Sequence, residues 1–488
     1  MSNVSADAQA APHTIDRVHP RLRVASRHLP LLVLLVAAVA VYLPALRSPF
    51  NGDDYLLLVA SRDMAVTHFL NSATNPWADA GSLQLSAYYW RPLSFLSFRA
   101  IYAVFGDHAV AYHLFNLTIH LASVALVYAL TLRLARTRLA AFVAAAVMAL
   151  HPAGVESIAW ISSLNSAGLP FALGAWLAFT FGTERPTRDS HLRWLVTAVA
   201  LGLIALAFRE TSDVILAAML LWYALVPARG RWFKHETLVN AAPFVVLLAA
   251  HTLLVGRVHS PGSIALDRHA VSTGWYYAKL ALLPVQSLTG PAAALQALLA
   301  LCLIAIPFVA LARRQWLIAA LGFGLLVSIV PYAGFGLGRG SRYFYFPSAL
   351  LALLAGACTA AIAPLFERAR YRTPVFACAI VAAVVLIPAG TFAANFRVRR
   401  WVDAYQNQHQ AWADQLRAQN PTLPRDGGLF LVNPPFVIAI LGGYIAAPTV
   451  NWYYPGPEHR IYIIDEEHIP YAKSVMKPDD RMVIYHAP

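Results

Sequence analysis

Two adjacent aspartates, Asp53 and Asp54, are the residues of this chain best suited to acid–base chemistry. They come soon after the first long apolar segment, at 29–46. A carboxylate there can act as a general base with a neighbour as helper, and a pair can supply oxygen ligands to a divalent cation such as Mg²⁺ or Mn²⁺. The sequence therefore predicts catalytic carboxylates for a transfer reaction, and it leaves metal dependence open.

A second set of residues could bind an anionic leaving group. The leaving group expected for such a transfer is a phosphate, and an arginine fork can contact two phosphate oxygens at once. Arg209, Arg339 and Arg342 are the first candidates for this contact. Five further residues complete the predicted substrate-binding set: Arg91, His151, Glu156, Glu210 and Tyr343.

Each of these charged residues also has a purely structural interpretation. Charges near a membrane are costly, so Arg209 with Glu210, or Asp54 with Arg91, could be ion pairs that only lock helices together. The aromatic segment that begins at Arg342 could be an interfacial anchor. The choice between these interpretations depends on where the chain places the residues.

Composition indicates that membrane helices position these candidate residues. The chain has 488 residues, of which 59% are hydrophobic and 12% charged. The charged fraction is about half that of an ordinary soluble domain. The net charge of +13 comes largely from arginines in short loops between apolar runs, so it favours membrane orientation over nucleic-acid binding.

The long apolar runs predict an all-α polytopic membrane protein with about eleven transmembrane helices. The runs are 29–46, 112–132, 139–150, 166–182, 194–208, 211–226, 238–255, 291–312, 316–332, 344–365 and 374–394. Five arginine-rich loops fall on one side of this arrangement, which predicts that this side is cytoplasmic. The leader 1–28 is basic and carries no cleavage site after its apolar run, so we expect a cytoplasmic N-terminus.

All the candidate site residues then fall on the opposite, outer face. The outer loop 47–111 is amphipathic, which indicates helices lying flat on the membrane. If the segment 275–286 crossed the membrane, the basic loops after it would fall on the opposite side from the earlier ones. We therefore expect this segment to be interfacial or re-entrant. The tail 395–488 predicts a small α/β module on the outer side, with strands near 429–432, 460–464 and 482–485.

Several short motifs, in order along residues 30 to 405, resemble the GT-C glycosyltransferases. The nearest likeness is to the O-mannosyltransferase-like branch that in animals carries tetratricopeptide repeats. The motifs are FNGDDY at 50–55, WRPLS at 90–94, YHLFN at 112–116 with His120, HP at 151–152, ESIAW at 156–160, RE at 209–210, RYFYFP at 342–347 and NFRVRRW at 395–401.

The resemblance implies a polyprenyl-phosphate sugar donor, inverting transfer to an acceptor hydroxyl, and Asp53 as the general base with Asp54 as the alternative. No tetratricopeptide period is found in the tail, so the acceptor stays open between protein, lipopolysaccharide and another glycan. The Ala- and Arg-rich composition favours a bacterial inner membrane, with the active site facing the periplasm.

Two other functions remain as alternatives. An O-antigen ligase or polymerase would also use outer arginines on a lipid-diphosphate substrate, but it does not need the adjacent aspartates. A lipid or solute transporter would explain the helices without chemistry, although its polar residues should lie near the midplane and its halves should repeat. The chain shows no such internal symmetry.

Overall fold

The structure is a computed structural model of the 488-residue chain. It describes residues 20–74, 90–162, 166–184, 187–228, 230–231, 233–258, 267–282, 291–333, 340–366, 388–424, 427–435, 438–439, 443–456 and 459–486. Arg339 and most of the predicted run 374–394 lie outside these residues.

The first ten helices cover the N-terminal half. They are α1 (Pro20–Tyr42), α2 (Asp53–Asp63), α3 (Val66–Thr74), α4 (Pro92–Phe105), α5 (Ala109–Ala135), α6 (Arg138–Leu150), α7 (Val155–Ala159), α8 (Leu169–Thr183), α9 (Arg188–Phe208) and α10 (Asp213–Leu225). Short 3₁₀ turns join several of them, at Pro152–Gly154 before α7 and at Glu210–Ser212 before α10.

The second half adds six helices before the tail. They are α11 (His235–Val258), α12 (Arg268–Leu280), α13 (Pro291–Ala312), α14 (Trp316–Ala333), α15 (Tyr345–Phe366) and α16 at 388–401. A 3₁₀ turn at Ser341–Phe344 leads into α15.

The prediction of a mostly helical, multi-pass membrane protein is confirmed. Within the described residues, six helices are long and apolar enough to cross a membrane, and α6 with the bent segment after it makes a seventh. Shorter apolar helices occur at Leu29–Tyr42, Pro92–Phe105 and Leu169–Thr183. This count is lower than the predicted eleven because several apolar runs form helices shorter than a full span and the run 374–394 lies mostly outside the described residues.

Two segments that were predicted to lie at the interface, or to re-enter the membrane, form short helices in their described parts. The outer loop folds into the short helices α2, α3 and α4, none longer than 14 residues. Helix α12 has 13 residues, or roughly 20 Å at 1.5 Å per residue, whereas the hydrocarbon core is about 30 Å thick.

Close packing of small residues sets the geometry of α5, α6 and α15. A Cβ placed on Gly356 of α15 would come within 2.6 Å of Thr131 Cγ2 and 2.9 Å of the Ala140 carbonyl oxygen. Small residues let membrane helices approach this closely. Because α6 and α15 are packed together, the turn that follows α6 and the turn that precedes α15 meet at one face.

The predicted α/β module at the C-terminus is confirmed. Its helices are α17 (Gln408–Gln419), α18 (Gly443–Tyr453) and α19 (Ile469–Val475), and its strands are β1 (Gly428–Val432), β2 (Arg460–Ile464) and β3 (Arg481–Ile484). The strands form a parallel sheet in the order β2-β1-β3. Each strand lies within one residue of its predicted place.

Candidate active site

The two aspartates occupy the first turn of α2. Gly52, which precedes them, has φ +57°, a backbone conformation that residues with a Cβ rarely adopt. This glycine lets the chain turn sharply from Asn51 into the helix. The turn is therefore built so that both carboxyl groups stand at the start of α2.

Asp54 is fully buried and engaged by the main chain. Its Oδ2 accepts the Asn51 N–H at 2.8 Å, and its Oδ1 accepts the Ser162 N–H at 2.7 Å. Burial raises the pKa of Asp54 to about 7, and the two accepted hydrogen bonds oppose the rise. Asp54 thus ties α2 to the segment that follows α7.

Asp53 has a different environment. Its Oδ1 is buried and accepts no hydrogen bond from any described residue. Burial raises the pKa of Asp53 to about 6, while the nearby charges of Arg342 and Arg91 lower it. Asp53 is therefore a carboxylate with spare hydrogen-bonding capacity, within the electrostatic influence of two arginines.

Arg91 and Glu210 form a bidentate ion pair that joins the start of α4 to the turn before α10. Arg91 Nε donates to Glu210 Oε2 at 2.6 Å, and a second guanidinium nitrogen donates to Oε1. Arg209 Nε lies 3.8 Å from the same Oε1. Burial alone would raise the pKa of Glu210, but the two arginines hold it well below its usual range.

Glu156 and Arg342 form the matching pair at the junction of α6 and α15. Glu156 Oε1 accepts from Arg342 at 2.7 Å, while Oε2 accepts the Arg342 N–H and the Ser341 hydroxyl, each at 3.0 Å. The guanidinium also donates to the Tyr343 hydroxyl at 3.2 Å and lies over the Trp160 ring, 5.1 Å from its centre. Arg342 thus contacts two aromatic rings, those of Trp160 and Tyr343.

His151 lies beside this cluster, but its ring nitrogens bind main-chain groups. Nδ1 accepts the Ala153 N–H at 3.3 Å, and Nε2 lies 3.3 Å from the Ala281 carbonyl oxygen. The ring also packs on Phe344. These contacts favour a role in shaping the turn after α6, and direct contact with substrate stays a prediction.

The structure therefore brings the described candidates together at one end of the helix bundle. Charge effects on Asp53 link it to both ion pairs, and Asp54 accepts two main-chain N–H bonds. Within the described part of the chain, three potential metal ligands come together only at Asp465, Glu467 and His468, exposed on the C-terminal module. A requirement for Mg²⁺ or Mn²⁺ stays open.

One charged residue of this region was missed by the sequence reasoning. Arg397 of α16 is half-buried, and none of the ion pairs among the described residues includes it. Burial lowers the pKa of Arg397, while Tyr276 and Glu156 raise it. In the sequence it looks like one of several basic residues after an apolar run, and only its place in the resembling motif at 395–401 marks it out.

Comparisons with known proteins find matches in both sequence and fold. Residues 91–255 match the family described as dolichyl-phosphate-mannose-protein mannosyltransferase. The sequence is 30% identical over 182 residues to protein O-mannosyl-transferase Tmtc1 of Drosophila melanogaster, a match that covers 36% of this chain and 20% of the relative. It is 26% identical over 180 residues to protein O-mannosyl-transferase TMTC3 of Mus musculus, covering 36% and 19%. The match spans about a fifth of the length of these relatives.

A solved structure extends the likeness to the whole fold. ArnT from Cupriavidus metallidurans, bound to undecaprenyl phosphate, superposes with a TM-score of 0.50 at 12% identity, over 95% of this chain and 90% of that chain. The fold is thus of the kind found in GT-C membrane glycosyltransferases. The resemblance that the motifs indicated is confirmed at the level of this class.

Proposed function

We propose that this protein is an inverting glycosyltransferase that moves a sugar from a polyprenyl-phosphate donor to an acceptor hydroxyl, with Asp53 as the general base. One observation carries the proposal: Asp53 has a buried carboxylate oxygen without a hydrogen-bond partner among the described residues, and the charges of Arg342 and Arg91 act on this carboxyl group. The matches to mannosyltransferases and to a fold that binds undecaprenyl phosphate support the choice of donor class.

The base must accept a proton at near-neutral pH. A carboxyl group with a pKa of about 6 is a stronger base than an ordinary aspartate, yet it is mostly ionised at pH 7. As the acceptor oxygen forms its bond to the anomeric carbon, its proton passes to Asp53. The bond from that carbon to the phosphate oxygen breaks, and the electron pair leaves with the phosphate.

The two ion-pair clusters can stabilise the departing phosphate. Arg91 and Arg209 both lie beside the carboxylate of Glu210, so two guanidinium groups stand close together in this cluster. Arg342 is the most accessible of the three arginines, with 27% of its side chain exposed against 14% for Arg91 and 5% for Arg209. We assign the direct phosphate contact to Arg342 and electrostatic support to the other two.

The predicted topology sets where this reaction occurs. In that topology the site lies on the side opposite the arginine-rich loops, which corresponds to the outer face under the positive-inside rule. In a bacterial inner membrane, donor and acceptor would meet at the periplasmic surface. A periplasmic protein or glycolipid is the acceptor class that fits this arrangement.

The direct test uses the purified protein in lipid nanodiscs with a panel of undecaprenyl-phosphate sugars, mannose among them. Release of undecaprenyl phosphate is followed with and without EDTA. Asp53→Asn is expected to lower the rate by a factor of about 10² to 10⁴, because general-base catalysis contributes that much.

Asp107→Asn is the matched control, since Asp107 is an exposed aspartate of the same outer segment. It should retain the full rate. Full activity of a well-folded Asp53→Asn protein would rule out the proposed base and favour a ligase-type mechanism. Loss of release on adding EDTA would show that the site also needs a cation.

A further inference from the structure

Helix α2 carries Asp53 in its first turn. Two other side chains of the same helix, Tyr55 and Arg62, contact α17 and α18 of the C-terminal module. We propose that the C-terminal module is a positioning clamp for α2, which sets the place of the Asp53 carboxylate through contacts with Tyr55 and Arg62. This inference rests on the proposed role of Asp53 as the base.

The first contact is at Tyr55, two residues after Asp53. Tyr55 is 1% exposed, and its hydroxyl lies 3.0 Å from the hydroxyl of Tyr453 on α18. Its ring stacks on His409 of α17, with 5.2 Å between ring centres and 15° between planes. A side chain from the outer loop is therefore inserted among side chains of the module.

The receiving surface is rigid because it is part of the module's own core. His409 is 1% exposed, and its Nε2 lies 3.1 Å from the Thr449 hydroxyl. The same ring packs edge-on against Trp412, which is fully buried. A shift of Tyr55 would therefore have to disturb packed side chains, which interiors resist.

The second contact is at Arg62, in the last turn of α2. Its guanidinium donates to the carbonyl oxygens of Trp452 at 2.8 Å and Asn451 at 2.9 Å. It also lies over the Trp452 ring, 4.9 Å from the centre. These bonds use the carbonyl groups at the end of α18, which lack partners within a helix.

Two contacts seven residues apart fix both the position and the rotation of a short helix. Helix α2 has 11 residues, or about 16 Å, so a rigid shift at Arg62 reaches Asp53 undiminished. Misplacement of a reacting group by about 1 Å can lower a rate by roughly 10²-fold. The module is therefore able to set the activity without touching the substrate.

The test compares the full-length protein with the double variant Trp452→Ala/Tyr453→Ala. The control is Tyr471→Ala, which removes a tyrosine of the same module that is 70% exposed. Hydrogen–deuterium exchange of α2 amides should rise about tenfold or more in the double variant, since losing about 1.4 kcal/mol of local stability has that effect. Tyr471→Ala should leave exchange unchanged.

Turnover of undecaprenyl-phosphate mannose gives the functional readout. We expect kcat to fall by about 10- to 100-fold with little change in KM, because the carboxylate is misplaced while the donor site is intact. The acid limb of the pH profile should move to lower pH, since a looser α2 admits water to Asp53. If the double variant does not fold, Tyr453→Phe removes only the hydroxyl contact, and a smaller change in the same direction is expected.

Failure of the clamp and failure of the proposed base give different results. Unchanged α2 exchange in the double variant or in Tyr453→Phe would overturn the clamp whether or not the protein turns over this donor. Faster exchange together with an active Asp53→Asn protein would keep the clamp on α2 but remove the base. An inactive Asp53→Asn protein with wild-type exchange, kcat and pH profile in the Tyr453 variants would remove the clamp alone.

Discussion

The same kind of ion pair occurs at the two predicted faces of the membrane, in very different surroundings. At the outer face, the side chains of Arg91 and Glu210 are only 14% and 17% exposed. At the predicted cytoplasmic face, the bonded pair Arg133 and Glu184 is 32% and 50% exposed. The outer pair has been taken out of water and the inner pair has not.

The difference in exposure distinguishes an ion pair of a candidate site from an ion pair of an ordinary protein surface. Removing water from a charged pair costs free energy, and only additional hydrogen bonds and neighbouring charges recover it. The outer pair has a second arginine, Arg209, beside the same carboxylate. A screened surface pair needs no such help and contributes little. Exposure therefore distinguishes two pairs that a list of charged residues makes look equal.

The largest effect is expected for Glu210→Gln, which tests the contrast directly. The change removes the carboxylate that Arg91 and Arg209 share, and breaking a buried pair costs about 3–5 kcal/mol. Thermal unfolding in detergent measures the loss. A cost as small as that of the matched Glu184→Gln variant would show that the outer pair is as well solvated as the inner one.

The next largest effect is expected for Asp54→Asn. This change should lower the stability of the fold rather than act directly on catalysis. Asp54 accepts two main-chain N–H bonds, and a hydrogen bond to a charged group contributes about 1.5–3 kcal/mol. An amide can accept at one oxygen only, so we expect a loss of about that size in thermal unfolding. Asp107→Asn provides the control. A variant as stable as the wild type but inactive would instead assign the chemistry to Asp54.

Lowering the pH should change the rate of catalysis by an intermediate amount. Catalysis requires the ionised form of Asp53, whose pKa is raised to about 6, so the rate should be half-maximal near pH 6. Below this value kcat should fall about tenfold per pH unit, as one proton blocks the base. A value of kcat that stays constant down to pH 4.5 would mean that Asp53 is exposed to water and is not buried in the outer site.

The smallest effect is expected for Glu184→Gln. Exposed pairs contribute about 0–1 kcal/mol, so the unfolding midpoint and turnover should be almost unchanged. High salt should abolish even this difference, because it screens exposed charges. Activity that depends on Glu184 would place a functional group at the cytoplasmic end and contradict the division between the two faces.

The sequence predicts best what depends on local patterns. Strand β1 was expected at 429–432 and lies at Gly428–Val432, since apolar five-residue runs bounded by turn residues are strand signals. The phase of the basic loops predicts that the candidates share one face of the membrane. The identification of the class came from motifs in order, and no single motif carried it.

What the sequence could not give depends on contacts between distant residues. Asp53 and Asp54 are chemically equal in the sequence, and they differ because Ser162, 108 positions away, donates to only one of them. The contact between Tyr55 and Tyr453 joins residues 398 positions apart. The contacts of His151 with the main-chain groups of Ala153 and Ala281 likewise have no signal in the sequence.

The position of Asp53 at the start of α2 has an electrostatic consequence for the proposed reaction. The N-terminal end of a helix dipole favours negative charge, and the ionised Asp53 stands in the first turn. Proton uptake removes that charge at the same moment as the phosphate gains one. The total charge of the site therefore stays constant during transfer. One negative charge moves from the helix end to the guanidinium groups. The surrounding dipoles and lipids need not reorganise around a change in net charge.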